Sequence, residues 1–391
     1  HQEKIKMWKK LNSLKEVKPM VWINEIPWHE MNVNQELTLQ SENNFCRNLE
    51  NNLRQTIYKW KHMRGDMVVE PVIECRPVVH DTGFGIGEEV DIAKTDEYSD
   101  IVSREFEPQI EDESDLEKIE FPEVTYDEKA TNKRYEIMNE IFKGILEVKK
   151  VGRPKFWFAP WDELIRWWDV EKAMMDLVMK PDLVHKAMDR LVSAYLHRLD
   201  QYEEQNLLGL NNGNYRIGSG GLGYTEELPQ SNFNSNQVKT QDLWGCAAAQ
   251  IFSDVSPEMH REFALKYEKR WLKRFGLNYY GCCEPLDNKI EILEEEVPNL
   301  RKISMSPWAD VEEGARKLED KYVYSMKPNP SVLAVDRWKP EVARKNLEQK
   351  LEKTKDCVVE VIMKDISTVK YEPERLWEWA DIAREVTEKF A

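Results

Sequence analysis

The pattern of apolar and polar positions changes character several times along the chain. Up to about residue 65, apolar residues recur every three or four positions among charged ones, as in EKIKMWKKLNSLKEV, which predicts amphipathic helices. The stretch DMVVEPVIECRPVVHDTGFGIGEEVDIA then becomes rich in Val and Ile and predicts strands broken by a glycine-rich turn. From about residue 91 to 130 acidic residues dominate, which indicates a solvated surface insertion.

Beyond this insertion, short apolar runs alternate with amphipathic helices up to the C-terminus. Runs such as LNYYGCC, LRKISMS and CVVEVIMKD are each followed by a helical pattern. Such alternation is typical of an α/β protein with a parallel sheet, and about eight units suit a closed barrel. We therefore predict a (β/α)8 TIM barrel at residues 66–391, which carries the acidic insertion, and a helical N-terminal extension at residues 1–65.

Composition limits the classes of partner. The chain has 391 residues, 41% of them hydrophobic, and a formal net charge of −16. An acidic protein of this kind repels nucleic acid, and no apolar run is long enough to span a membrane. Six irregularly spaced cysteines do not form a disulfide framework and favour a reducing compartment. We expect a cytoplasmic protein with a small-molecule substrate and neither nucleic acid nor membrane as partner; a homodimer is left open.

The most distinctive motif is YYGCCEPLD, at the end of a predicted strand. Catalytic groups of a (β/α)8 barrel lie at the C-terminal ends of its strands, and here Cys282 and Cys283 precede Glu284. Two thiols and a carboxylate suit zinc, with a further ligand from His260, Cys357 or Asp365. A reactive thiol without metal, or a cysteine that simply packs inward, are the alternatives.

Other residues near predicted strand ends supply groups for proton transfer and substrate binding. The predicted catalytic residues are Asp242, Glu284, Asp365 and His260. The predicted substrate-binding residues are Trp161, Asp162, Tyr224, Arg301, Lys327, Asn329 and Lys364. The string GSGGLG at 218–223 matches a dinucleotide-binding pattern, but no helix pattern follows, so it is more typical of an active-site loop. Paired carboxylates leave a glycosidase open, and a non-catalytic binding barrel is a further alternative.

Three segments resemble the uroporphyrinogen decarboxylase superfamily. They are residues 157–191, which begin WFAPWDELIRWWDV, residues 242–271, which begin DLWGCAAAQIFSDVSPEMH, and residues 279–318, which begin YYGCCEPLDNKIE. The resemblance covers roughly residues 135–390 and implies a (β/α)8 barrel. It implies either decarboxylation without a cofactor, or methyl transfer between a methylated substrate, a corrinoid and a thiol acceptor, often through zinc.

The sequence departs from both branches of that superfamily. Only Arg76 stands where the decarboxylases carry an arginine-rich motif, and Tyr280 or Gly281 replaces the histidine of the methyltransferases. Cys357, the counterpart of their later cysteine, falls at the start of its predicted strand. We predict a methyltransferase that moves a methyl group between a small methylated substrate and a corrinoid protein or thiol acceptor, with zinc at Cys282, Cys283 and Glu284. A cofactor-free decarboxylase is the alternative.

Overall fold

The computed structural model describes residues 1–93 and 103–391, in which short strands alternate with helices. The strands are β1 (Met20–Ile23), β2 (Val72–Cys75), β3 (Val78–Asp81), β4 (Val90–Ala93), β5 (Ser103–Phe106), β6 (Val124–Asp127), β7 (Glu147–Lys150), β8 (Trp244–Ala247), β9 (Leu277–Tyr280), β10 (Leu300–Met305), β11 (Val323–Met326) and β12 (Val358–Met363).

The helices cover the faces and ends of these strands. They are α1 (Gln2–Asn12), α2 (Asn44–His62), α3 (Glu128–Phe142), α4 (Pro160–Trp168), α5 (Val170–Met179), α6 (Pro181–Glu204), α7 (Pro257–His260), α8 (Lys266–Leu272), α9 (Ile290–Glu296), α10 (Val311–Leu318), α11 (Ser331–Ala334), α12 (Pro340–Lys353) and α13 (Glu374–Glu388). A π-helical turn, Arg261–Leu265, joins α7 to α8.

Six parallel strands form the central sheet, in the order β1, β12, β11, β10, β9, β8. β12 has the sequence VVEVIM and is buried along its whole length, as β-branched strands of parallel sheets commonly are. The predicted alternation and the parallel sheet are therefore confirmed, as a mixed α/β architecture.

The hydrogen-bonded strands of the described residues leave this sheet open between β8 and β1. Extended chain continues beyond β8: the Asn211 side chain bonds both the N–H and the C=O of Trp244 at 2.9 Å, and Arg153 forms a parallel bridge with Leu208. At the other edge, the Asp66 N–H donates to the Val21 carbonyl at 2.9 Å. The described residues thus form six of the eight strands that the predicted barrel requires.

The two faces of the central sheet differ in polarity. One face packs against the helices and carries apolar or aromatic side chains, among them Tyr280, Ile303, Met326 and Val361. The opposite face carries Tyr279, Lys302, Ser304, Ser325 and Glu360, all of which are also buried. Successive side chains of a strand point to opposite faces. The polar residues occupy every second position of these strands, and they therefore all lie on the second face. Buried polar groups need partners, and these partners define the site described below.

The N-terminal residues belong to the sheet, which corrects the prediction of a purely helical extension at residues 1–65. β1 pairs with β12 in register, with Ile23 opposite Met363. The strand was missed because MVWI is only four residues long and lies between two helical patterns. A chain without this segment would expose the edge of β12, so residue 65 does not mark the end of a detachable unit.

Strands β2 to β7 form smaller sheets beside the central one. β2 pairs in parallel with β7, β3 pairs antiparallel with β6, and β4 pairs antiparallel with β5. The predicted acidic insertion includes residues 94–102, which lie outside the described residues. Part of its described remainder contacts helices by ion pairs, such as Glu113 with Lys186 at 2.6 Å and Glu117 with Arg190 at 3.3 Å. None of the helices in the described residues is long and apolar enough to cross a membrane.

Candidate active site

The two adjacent cysteines lie in the turn after β9, at the C-terminal end of the central sheet. Gly281 adopts a φ of 95°, which a residue without a side chain adopts most readily, and the chain then turns away from the sheet. The Cys282 Sγ and Cys283 Sγ atoms are 3.5 Å apart. Ser304, at the end of β10, donates a hydrogen bond to the Cys282 carbonyl at 2.7 Å. The turn is therefore held against the neighbouring strand.

Glu284 fixes the same turn from the other side. Its carboxylate accepts the Cys282 N–H at 2.9 Å and the Ala249 N–H at 3.3 Å, and the residue is fully buried. Burial raises the pKa of Glu284, whereas these backbone donors lower it. The carboxylate is thus committed to the backbone of two turns, those after β8 and β9, and it orients the thiols.

Lys364, immediately after β12, brings a positive charge to the thiols. Its Nζ atom lies 3.7 Å from Cys282 Sγ and 3.6 Å from Cys283 Sγ. It also contacts Asp365 Oδ2 at 2.5 Å and Glu25 Oε2 at 3.3 Å. Although burial opposes its charge, the two sulfurs and the two carboxylates raise the pKa of Lys364. The ammonium therefore stays charged beside the thiol pair.

The two thiols differ in acidity. The hydrogen bond with Cys283 lowers the pKa of the Cys282 thiol, burial opposes this effect, and Lys364 lowers the pKa further. The same hydrogen bond raises the pKa of Cys283. Cys282 is therefore the more acidic of the two thiols. Since the thiolate is the form that attacks electrophiles and binds metals, Cys282 is the reactive sulfur.

A fully buried polar network lies on the same face of the sheet. Lys302 and Glu360 form an ion pair at 2.8 Å, and Glu360 also accepts the Ser325 hydroxyl at 2.7 Å. Lys327 donates to Ser325 Oγ at 2.7 Å and to the Tyr279 hydroxyl at 2.8 Å. Burial lowers the pKa of Lys327 to about 7, against the opposing charge of Glu360. Lys327 can therefore give or take a proton at neutral pH.

The glycine-rich string covers this network. An added Cβ at Gly220 would lie 2.4 Å from Glu360 Oε1, and one at Gly218 would lie 2.4 Å from the Tyr279 ring. The Ser219 hydroxyl is 2.9 Å from the Tyr279 hydroxyl, and the Gly221 N–H donates to Glu360 at 3.2 Å. These glycines allow the backbone to approach buried polar side chains closely, which supports the prediction of a loop rather than a dinucleotide-binding motif.

Sequence reasoning missed Glu25 and Arg216, which complete the site. Glu25 follows β1 and forms an ion pair with Arg216 at 2.8 Å. Although burial opposes its charge, a hydrogen bond from Asp365 and the charges of Arg216 and Lys364 lower the pKa of Glu25 to about 2. The apolar run MVWI directly before Asn24 and Glu25 was the available signal. It was overlooked because this segment was predicted to be helical.

His260 belongs to a separate buried network on the helix-covered face. Its Nε2 atom lies 2.7 Å from the Tyr280 hydroxyl, which donates to Glu268 at 2.7 Å. Burial lowers the pKa of His260 to about 3 and raises that of Glu268 to about 8. Because Tyr279 and Tyr280 point to opposite faces of β9, this network is separated from the thiols. The structure thus does not bring His260 to the predicted catalytic cluster.

Three predicted site residues lie at the N-terminal ends of the strands, away from the thiols. Asp242 precedes β8, and its carboxylate accepts the N–H groups of Gln230 and Lys239 at 3.1 and 3.0 Å. Arg301, near the start of β10, forms a bidentate pair with Glu227. Tyr224 belongs to an apolar cluster with the first residues of β1, β11 and β12. The expected position of Asp242 at a strand's C-terminal end is wrong, because β8 begins only at Trp244.

The remaining predicted residues divide between the site and its surroundings. Lys327, Lys364 and Asp365 lie in it, and Asp365 Oδ2 is 3.5 Å from Cys283 Sγ. Trp161 is fully buried and donates to the Phe263 carbonyl at 3.0 Å, so it is a packing residue. Three residues lie outside the thiol cluster. Asp162 accepts a hydrogen bond from the Gln250 side chain at 2.6 Å, and Asn329 lines a groove beside α12. Cys357 lies just before β12, at the strand start that the sequence predicted.

The predicted zinc ligands are only partly suited to a metal. The two sulfurs are close enough to serve as two ligands, but the Glu284 carboxylate is occupied by backbone N–H groups. Across residues 1–93 and 103–391 no group of three or more His, Cys, Asp and Glu side chains is arranged to hold a metal ion. Zinc at Cys282, Cys283 and Glu284 stays a prediction.

Comparison with known proteins adds information on the fold. No protein-family model and no curated protein matches the chain. Among solved structures the chain is similar to a methyltransferase from Methanosarcina mazei, with a TM-score of 0.55, 12% sequence identity, and 99% of each chain covered. At this identity the similarity supports a shared fold and nothing finer. The superfamily resemblance of the sequence stays a prediction.

Proposed function

We propose that this protein is a methyltransferase whose site is the Cys282–Cys283–Lys364 cluster. It would move a methyl group between a small methylated substrate and a corrinoid protein or a thiol acceptor. The observation that carries the proposal is the contact of the Lys364 ammonium with both the Cys282 and the Cys283 sulfur at the C-terminal end of the sheet. The similarity of fold to a methyltransferase agrees with it.

The proposal includes a closed (β/α)8 barrel. Segments 153–158 and 207–211 would supply the two strands between β8 and β1. The buried polar face supports this closure. The Lys302–Glu360 ion pair is completely buried, so other parts of the chain must cover this face of the sheet. It also agrees with the location of the thiols, since reactive groups of such barrels collect at the C-terminal ends of the strands.

The side chains of the site can manage the charge of a methyl transfer. When a methyl group leaves its heteroatom, that atom keeps the electron pair of the broken bond and needs a cation or a proton. Lys364 supplies a fixed positive charge, and Lys327, with a pKa of about 7, supplies a proton at neutral pH. Cys282 supplies a thiolate as nucleophile or as ligand for a soft metal.

Zinc and the corrinoid partner remain parts of the proposal that need direct measurement. A corrinoid in its reduced state would supply the centre that accepts the methyl group. Zinc would need a ligand besides the two thiols, since Glu284 is bonded to backbone. Metal analysis of the wild type against a Cys282→Ser, Cys283→Ser double variant addresses the zinc, and near-stoichiometric metal in both would rule out these ligands.

The alternative is a cofactor-free decarboxylase, which the cluster of cations at the site favours. Lys364, Lys327 and Arg216 lie around one site in a protein of net charge −16, and such a concentration of cations suits a carboxylated substrate. In that reaction the bond between the carboxylate carbon and its neighbour breaks, and the carbon left behind takes a proton. Lys327 is the group with a suitable pKa.

Free cob(I)alamin offers a direct assay of the proposed activity. The purified protein is mixed with cob(I)alamin and with methyl ethers, methylamines or methyl thioethers, and methylcobalamin formation is followed by absorbance. We expect at least one class to support methyl transfer, and Cys282→Ser to reduce the rate at least tenfold, because the substituted hydroxyl is not ionised at neutral pH.

The matched control is Lys345→Met, which removes an exposed lysine on α12 and should leave the rate unchanged. Methylcobalamin formation no faster than in buffer for every class would contradict the proposal. Carbon dioxide release from a carboxylated substrate, without methyl transfer, would establish the decarboxylase instead.

A further inference from the structure

A small cavity opens beside the thiol cluster. It encloses about 160 Å³ between the chain at 155–157, β8 and the loop at 211–218. It is connected to the thiols through charged contacts. Arg216, on its wall, pairs with Glu25 at 2.8 Å, and Glu25 in turn contacts Lys364 at 3.3 Å. Cys246, also on the wall, lies on β8 opposite Tyr279 of β9.

The size and lining of the cavity suit one aromatic ring. An apolar protein cavity of about 150 Å³ binds benzene, so the volume here is that of a single ring. Two aromatic residues line it, Trp157 and Trp244, whereas the ring of the third, Phe156, packs against Tyr202 and Trp271 of the helix layer. Trp157, one of the lining residues, is 43% exposed, which is unusual for so large an apolar side chain. Aromatic rings favour stacked or edge-to-face contacts with such walls.

Two cations line the same cavity. The Arg216 guanidinium uses Nη1 for Glu25 and Nε for the Gly220 carbonyl, and no described residue bonds its Nη2 atom. Lys155 forms no ion pair with any residue in the described part of the chain. Lys155 is exposed, and Arg216 and Arg76 are the cations near it. A planar carboxylate would pair with both cations.

We propose that this cavity binds a one-ring aromatic carboxylate, with the ring beside Trp157 and Trp244 and the carboxylate on Lys155 and Arg216. As a statement about substrate, it rests on the proposed methyl transfer and gives the class of molecule that would carry the methyl group. The carboxylate end of the ligand then lies on the side of the cavity that the Arg216–Glu25 and Glu25–Lys364 ion pairs join to the thiol cluster.

Calorimetric titration with benzoate tests this site without requiring turnover. We expect benzoate to bind the wild-type protein, and benzamide, which lacks the charge, to bind at least tenfold more weakly. Acetate, which lacks the ring, should bind at least tenfold more weakly as well. Lys155→Gln is expected to weaken benzoate binding about tenfold, and Arg216→Lys, which keeps the charge but loses the planar fork, severalfold.

The control is Lys345→Gln, an exposed substitution on α12 that should leave benzoate affinity unchanged. Equal affinity for benzoate and benzamide, or unchanged affinity in Lys155→Gln, would overturn the proposal. Failure of this proposal and failure of the methyl-transfer proposal are distinguishable. Benzoate binding without any methylcobalamin formation would leave the cavity assignment intact, and methyl transfer without benzoate binding would remove the cavity assignment alone.

Discussion

Among single residues outside the thiol pair, Lys364 has the largest influence on it, because its positive charge favours the thiolate form. It is the cation that lies within 4 Å of both sulfurs, and it also contacts Asp365 and Glu25. A buried thiolate without a compensating cation would be costly, because burial favours the neutral thiol. The reactivity of Cys282 should therefore depend on a residue that follows a different strand.

Replacing this lysine tests that dependence. Lys364→Met keeps the length of the side chain but removes its charge, so the pKa of the Cys282 thiol should rise. We expect alkylation of Cys282 by iodoacetamide at pH 7 to become about tenfold slower, because the thiolate reacts. Peptide mass spectrometry over a time course measures this rate, with Lys345→Met as the matched control. An unchanged alkylation rate would show that Lys364 does not stabilise the thiolate.

At the level of secondary-structure elements, the packing of α8 against β9 buries an acidic side chain, Glu268. Glu268 on α8 is fully buried, and its main partner is the Tyr280 hydroxyl of β9. Burial raises the pKa of Glu268 from 4.5 to about 8. The folded protein therefore keeps a proton on Glu268 at neutral pH, whereas the unfolded chain loses it.

This proton makes stability depend on pH in a predictable direction. Between pH 4.5 and about 8, unfolding releases the Glu268 proton, so the free energy of unfolding falls as pH rises. The contribution is fully present below pH 4.5 and is lost by about pH 8, with a slope of roughly 1.4 kcal/mol per pH unit. Glu268→Gln should lack this slope. Urea unfolding of both proteins at several pH values measures it, and parallel pH profiles would contradict the assignment.

At the scale of the whole molecule, the inner face of the sheet joins distant parts of the chain through buried charges. Lys302 on β10 and Glu360 on β12 pair across β11, and the loop at 218–221 covers them. Such a pair adds little net stability compared with apolar residues, but removal of one partner leaves a buried charge without compensation. A strand order that separated β10 further from β12 would leave both charges buried and unpaired, so the ion pair favours the observed order.

Single and double substitutions separate these two effects. Lys302→Met should lower the free energy of unfolding by about 3–5 kcal/mol, because Glu360 is left buried and charged. The double variant Lys302→Met, Glu360→Met should recover most of that loss, since neither charge remains. Equilibrium denaturation measures both. A loss below about 1 kcal/mol in the single variant would mean that Ser325 and Lys327 already compensate Glu360.

The sequence by itself determined the local features of this protein. The alternation of apolar runs and amphipathic helices gave the parallel α/β sheet, because periodicity reflects which side of an element is buried. It also located Cys282 and Lys364 after strands, and Cys357 before one, since each position follows from the adjacent run. These inferences needed only neighbours along the chain.

Only the tertiary structure decided which strand ends meet. Glu25 and Asp365 are 340 positions apart and are brought together because β1 pairs with β12. Asp242 and His260 carry suitable chemistry, but one precedes its strand and the other contacts the helix-covered face. The order of strands in a sheet is set by long-range packing, which leaves no periodic signal in the sequence. Hence the thiols and the lysines could be predicted from the adjacent runs, whereas strand β1 and the site residues Glu25 and Arg216 could not.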